Sequence, residues 1–435
     1  MFYKLFHYKK GIFLIIGIIF LDVLIPYSVC AKEPFPPLSP FLRNLALEAQ
    51  KDITTGRLKQ AQNCLSPFLK GSNPHPLLCF LMANTYYLEK RLGLALKFYE
   101  KTIKGAPKYL PAIENAAAVA FELKRYQKAA NYYLSAWQIS RKTKHPNKEL
   151  LYNAAIALYQ AHKYKKTIDI LKQLFKKYNY ISKQSIALYV ACSINIKSFN
   201  ECLKILNSFI NNYPYKAYLW LYAGQIFLLQ KDYKHAAIYL ETAYTLKGAN
   251  KKQWKDLSNI YAYCNAPIKA AKCYLKAINS NKVSKKDLEI LVNYFLQIHN
   301  YNIARKYIKM AINLEPDASL YVLLGKLAFE HARFDQAKSA LKNAILLMHK
   351  KQNKTKLKIK DVDRIWMLLG ISAFETNDFS LAKRAFSHLL NSKQYRQQAK
   401  GYLAFISLLQ SKKINKYVKD NAHGSNQDNG STNKT

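Results

Sequence analysis

The residue types that break bonds are present in this chain, but never in a usable arrangement. Ten histidines are scattered along it, and His235, His331 and His388 fall at polar or helix-end positions. Glu330-His331 is followed by Ala332-Arg333, so the second imidazole of an H-E-x-x-H zinc site is missing. No glycine-rich phosphate loop, G-x-S-x-G elbow or C-x-x-C pair occurs. Of seven cysteines, Cys64, Cys79, Cys192, Cys202, Cys264 and Cys273 lie beyond the first thirty residues. That even number permits disulfides in an exported chain, yet most sit on inward helix faces, where a thiol behaves as a small hydrophobe. The expectation is a non-enzymatic protein with no cofactor and no metal site. A hydrolase built on the helices themselves is the remaining enzymatic alternative.

The chain offers periodicity in place of a catalytic motif. From Ala217 to Lys247, one helical apolar stripe runs through Trp220, Ala223, Gly224 and Phe227. A polar break at Gln230-Lys231-Asp232 follows, then a second stripe through Tyr233, Ala236, Leu240 and Ala243. Small residues stand where two antiparallel helices must approach closely. The small residue of the second helix recurs at Ala61, Ala95, Ala129, Thr167, Cys202, Ala236, Ala270, Ala304, Ala337 and Ala382. Most of these intervals are 34 residues or within one of it. The exceptions reflect a turn insertion at Lys144–Asn147 and a basic loop at Lys350–Lys360. With 13 glycines and 14 prolines in 435 residues, the composition suits helices better than turn-rich sheets.

A helix–turn–helix unit of this length, with these small and aromatic positions, resembles the tetratricopeptide repeat (TPR). The resemblance covers nearly all of the chain after residue 40. It implies an all-α fold, a right-handed α-solenoid (superhelix) of about ten TPR repeats, closed by a C-terminal capping helix. The expected organisation is a signal peptide over residues 1–31, a proline-rich lead-in over 32–41 and five repeats over 42–215. Five more repeats fill 216–392, with the basic loop at 350–360. A capping helix spans 393–412 and a disordered tail 413–435.

The N-terminus reads as an export address. Lys4, Lys9 and Lys10 precede an apolar run from Gly11 to Ile25, and Val29-Cys30-Ala31 supplies a cleavage site. The apolar run is short for a membrane span, so cleavage and release to the periplasm or exterior is expected; an uncleaved N-terminal anchor is the alternative. The formal net charge is +42. Loss of residues 1–31 removes three lysines and one aspartate and leaves +40. The lysines are spread over every repeat, which reads as a solvated surface from a compositional bias towards Lys, Asn, Ile and Tyr. The alternative partner is an anionic envelope polymer or membrane surface, including peptidoglycan. The export address argues against nucleic acid.

In the TPR family, the first helices of successive repeats line a concave groove. Carried over by position, the resemblance assigns partner binding to Phe80, Asn84, Tyr87, Asn115, Tyr152, Asn153, Tyr222, Gln225, Asn259 and Asn293. Asparagine offers both donor and acceptor to an extended peptide, and tyrosine adds area with a polar tip. Chaperone-binding TPR domains hold an acidic C-terminus with a carboxylate clamp. Asn84 and Asn115 match its asparagines, but Phe80, Glu149 and Asn153 replace its basic residues, so the clamp is broken. The layout also resembles the exported TPR proteins that accompany TonB–ExbB–ExbD systems, on Trp254–Leu257, Asn265–Ala271 and the ending from Trp366 through Gln397 to Leu409. That resemblance implies an accessory to energy-coupled envelope transport. The expected partners are therefore proteins of an envelope or membrane complex, with no small-molecule substrate.

Overall fold

The computed structural model describes residues 35–71, 73–143, 145–278, 283–350 and 359–424. The expected signal peptide and most of the basic loop lie outside the described residues, as does the tail after Gly424. Every regular element among the described residues is helical.

The chain divides into two compact units, Met1–Gln230 and Lys231–Thr435. In the first unit, hairpins form from α1 (Pro40–Thr54) with α2 (Leu58–Leu65), α3 (Pro76–Leu88) with α4 (Leu92–Gly105), and α5 (Leu110–Glu122) with α6 (Tyr126–Ser140). Two more pair α7 (Lys148–Gln160) with α8 (Tyr164–Tyr178) and α9 (Lys183–Asn195) with α10 (Phe199–Asn212); α11 (Ala217–Leu229) ends the unit. The second unit opens with α12 (Tyr233–Lys247). It then pairs α13 (Lys251–Tyr263) with α14 (Pro267–Ala277), α15 (Lys285–Gln297) with α16 (Tyr301–Leu314), and α17 (Ala318–Glu330) with α18 (Phe334–Lys350). Its last pair is α19 (Ile359–Glu375) with α20 (Phe379–His388), followed by α21 (Arg396–Gly424). The division falls inside the sixth repeat, whereas the sequence pattern places a boundary near residue 215.

Each hairpin turn uses the same physical device. The first helix ends on a residue in the left-handed region: Lys90, Lys124, His162, Lys197, Asn265, His299, Ala332 or Asn377, all with φ between 54° and 61°. The next residue then donates its N–H to the carbonyl five positions back, as in Arg91 to Tyr86 (2.9 Å) and Arg125 to Ala120 (2.8 Å). This satisfies carbonyls that a helix end leaves open and reverses the chain in three residues. The first repeat uses Gly56 (φ 78°) for the same purpose. Several first helices are capped by side chains at their starts, as where Ser39 accepts from the Leu42 N–H ahead of Pro40.

All ten small positions picked out by periodicity, Ala61 through Ala382, have no exposed surface. Thr167 tolerates its place because its hydroxyl donates to the Lys163 carbonyl at 3.1 Å. Second helices also contact the first helix of the following pair, as α4 does α5 and α14 does α15. First helices touch one another at α1–α3, α7–α9 and α9–α11 in the first unit and at α17–α19 in the second. The first helices of the first unit therefore form a layer of their own.

The last pair is closed by α21, whose Ala399 and Ile406 are fully buried against Phe386 and Leu389. The Tyr402 ring stacks on Phe386 at 4.6 Å, covering the apolar end that a solenoid otherwise exposes. This helix runs to Gly424, beyond the end expected near residue 412.

Candidate functional site

The first helices of the first unit share a stripe at spacings of four, three and four, whose residues range from buried (Leu81, Ile156) through half-buried to exposed (Glu122, Glu149). On α5 it reads Pro111, Asn115, Ala118 and Glu122, with Glu114 beside it. On α7 it reads Glu149, Asn153, Ile156 and Gln160. On α3 it passes through Leu77, Leu81, Asn84 and Leu88, with Tyr87 alongside. The spacing is one helix face, and most flanking residues on each helix are buried.

Two asparagines of this stripe are joined by one hydroxyl. Tyr99 Oη, buried on α4, donates to Asn84 Oδ1 at 2.7 Å and accepts from Asn115 Nδ2 at 3.3 Å. Burial drives the Tyr99 phenol well above its ordinary range, so it remains protonated and able to donate. The bridge consumes one acceptor on Asn84 and one donor on Asn115. Asn84 keeps its amide N–H groups for a ligand and Asn115 keeps its carbonyl. Those are the two groups needed to match the C=O and N–H of a single extended chain.

The carboxylates of the stripe are handled by tyrosines, not by cations. Tyr87 Oη donates to Glu122 Oε1 at 3.2 Å, and burial followed by that carboxylate pushes the phenol up to about 12. Tyr180 Oη donates to Glu149 Oε1 at 2.7 Å. Glu114 receives no hydrogen bond or ion pair among the described residues, and burial raises its carboxyl above the usual range.

Two residues expected in the groove are not there. Phe80 is only 6% exposed and lies edge-on to Tyr109 at 5.1 Å, with Tyr99 at 5.9 Å. Tyr152 is 7% exposed and its ring sits 5.5 Å from Tyr180. Both occupy the flank of their helix that turns towards the neighbouring pair, so they fill the core. Asn84, Tyr87, Asn115 and Asn153 are half-buried on the first-unit stripe. Tyr222 and Gln225 are half-buried on α11, with Tyr222 6.1 Å from Tyr218. Asn259 and Asn293 are exposed on α13 and α15 of the second unit.

Sequence reasoning missed three residues that hold an extended segment. The Phe35 ring sits 4.4 Å from Tyr109, the residue before α5. His75 Nε2, one residue before α3, lies 3.0 Å from the Pro36 carbonyl. The proline-rich lead-in is thus held across the start of two first helices. The signal was available in Phe35 and Tyr109, both aromatic at element boundaries.

In the second unit, Asp287 gathers the polar contacts. It accepts from Lys255 Nζ (2.9 Å), Tyr274 Oη (2.7 Å) and Ser284 Oγ (2.7 Å). Burial alone would raise its carboxyl, but the donors outweigh that and hold it well below the usual range.

The cysteines carry no reactive signal. All six described thiols are free. Burial pushes those of Cys79 and Cys273 up to about 11, and those of Cys192 and Cys202 up to about 12. Among the described residues, no group of three or more His, Cys, Asp or Glu side chains is placed to hold a metal. Also among them, no helix is long and apolar enough to cross a membrane.

The chain is an all-α solenoid of helix hairpins at the tetratricopeptide spacing. No family model matches it, and no curated protein does. Solved structures similar to it include the Cut9–Hcn1 hetero-tetramer of APC/C, 18% identical over 84% of this chain and 77% of that chain, with a TM-score of 0.26. YrrB, a TPR protein with an unusual peptide-binding site, is 17% identical over 42% of this chain and 92% of its own, at 0.32. Naa15/Naa10 bound to HypK-THB is 13% identical over 85% and 61%, at 0.43. With scores this low, the fold assignment rests on the hairpins described above.

Proposed function

We propose that this chain is an exported, non-enzymatic scaffold that binds an extended segment of a protein partner along its first-helix layer. The observation that supports it is the Asn84–Tyr99–Asn115 bridge. One buried hydroxyl fixes two amides of adjacent repeats and leaves a donor on one and an acceptor on the other. Amides fixed in advance lose little entropy on binding, which is how a shallow groove gains affinity. The basic n-region and apolar run at the N-terminus support export, and the resemblance to TonB-associated TPR proteins supports an accessory role in an envelope complex.

A photo-crosslinking residue at Asn153, compared with one at the exposed Lys176 of α8, tests this in intact cells. A defined envelope protein captured from position 153 and not from 176 is the expected result. No product, or the same products from both positions, would overturn the groove assignment. Recovery of the chain from the cytoplasm with residues 1–31 still attached would overturn export.

A further inference from the structure

From α3 to α11, the lysine excess is sorted by helix. In the first unit, the opening helix α1 carries Arg43 and Lys51, but α3, α5 and α11 contain no Lys or Arg, and α7 and α9 contain one each, Lys148 and Lys183, both at the first helical position. Lys148 is already engaged, its Nζ donating to the Tyr178 carbonyl at 3.0 Å. The second helices of the same unit carry the cations instead. Lys97, Lys104, Lys165, Lys166, Lys176, Lys177 and Lys204 are all exposed on α4, α8 and α10.

In a chain of net charge +42, a face without cations is an exception in need of a reason. The α5–α7 part of the face carries carboxylates, Glu114, Glu122 and Glu149. Two of these are turned by tyrosine hydroxyls that donate without neutralising them. The third, Glu114, has no partner among the described residues, and its partial burial penalises the charge it carries. A carboxylate left desolvated and uncompensated costs folding stability, and a cation arriving from outside would recover that cost.

Resting on the groove assignment above, we infer that the first-unit face selects extended segments bearing lysine or arginine. Asn84 and Asn115 hold the main chain, and Glu114 and Glu122 take its cations. This is the opposite sign from a carboxylate clamp. It also gives the charge sorting a consequence: the cationic second helices α4, α8 and α10 repel such a segment, and the α3–α7 face does not.

The test is selection of a random decapeptide display library on the purified full chain at moderate salt, followed by affinity measurement on the selected peptides. Enrichment in Lys and Arg is expected, with affinity falling about tenfold or more in the Glu114→Gln/Glu122→Gln double variant. Asn115→Ala/Asn153→Ala should also weaken binding, and Lys176→Gln/Lys177→Gln should not. The double Gln variant should stay folded. Because the raised Glu114 carboxyl contributes stability only when protonated, Glu114→Gln should melt no lower than the parent at pH 7.

Neutral or acidic peptides whose affinity depends on Asn115 and Asn153 but ignores the Glu→Gln changes would overturn the charge inference and leave the groove assignment standing. Peptides indifferent to both sets of changes, or none selected, would overturn both.

Discussion

At the scale of single residues, the repeat is governed by what a close helix approach can tolerate. Gly370 on α19 shows this in its strictest form. A Cβ added there would lie 2.6 Å from Cε1 of Phe386. The Phe386 ring cannot retreat, because Tyr402 is stacked parallel to it at 4.6 Å. Gly370→Ala should therefore destabilise the second unit by about 1–3 kcal/mol, the usual cost of overfilling a core. Gly401 on α21 is the control, since a Cβ there meets nothing within 4 Å. Gly401→Ala should gain about 0.5–1 kcal/mol from helix propensity alone. Urea melts of the two variants check both signs; equal shifts would refute the packing account. The sequence pattern marked the nearby small position Ala382 but did not single out Gly370 or Phe386.

At the scale of helices, Asp287 caps α15 and also ties it to α13 and α14. Its side chain closes a capping box with Ser284 and accepts from Lys255 and Tyr274. Because its folded pKa is depressed, the stability it supplies is complete above the unfolded value of about 3.9 and is lost as pH falls below that. The melting temperature should drop from about pH 5 downwards, and Asp287→Asn should flatten that part of the profile. A profile as steep in the variant as in the parent would show that other carboxylates set it. The position of α15 follows from its apolar period and its Ser284 cap, both legible in sequence. The convergence of Lys255 and Tyr274 on Asp287 was not, because 32 and 13 residues of chain separate those partners from it.

At the scale of the whole molecule, charge is distributed differently in the two units. In the first unit the first helices carry few cations: Arg43 and Lys51 on α1, and Lys148 and Lys183 at the starts of α7 and α9. In the second unit the first helices carry both signs, with Lys252, Lys286, Lys326 and Arg364 alongside Asp256, Glu330 and Glu375. The exposed lysines on α8, Lys165, Lys166, Lys176 and Lys177, concentrate positive charge on one surface of the first unit. Retention on heparin should therefore vanish at moderate salt, because charges in water are screened beyond about 8–10 Å. It should also weaken in the quadruple variant of Lys165, Lys166, Lys176 and Lys177 to Gln. Retention that survives salt, or is unchanged by the four substitutions, would mean the surface recognises something more specific than charge.

Sequence alone determined the period, the helix–turn–helix pairing and the ten buried small positions. These depend on contacts between neighbours in the chain, repeated until chance is excluded. It marked the first helices as a binding layer only through resemblance, and it spread that assignment over Phe80 and Tyr152, which the fold buries. Tertiary structure decided which flank of each first helix stays open, because that depends on where the next hairpin leans. It also sorted the lysines. In the linear chain they appear in every repeat, and only where α3 to α11 alternate between two layers do they separate into a cationic side and a face where Glu114 meets no cation among the described residues.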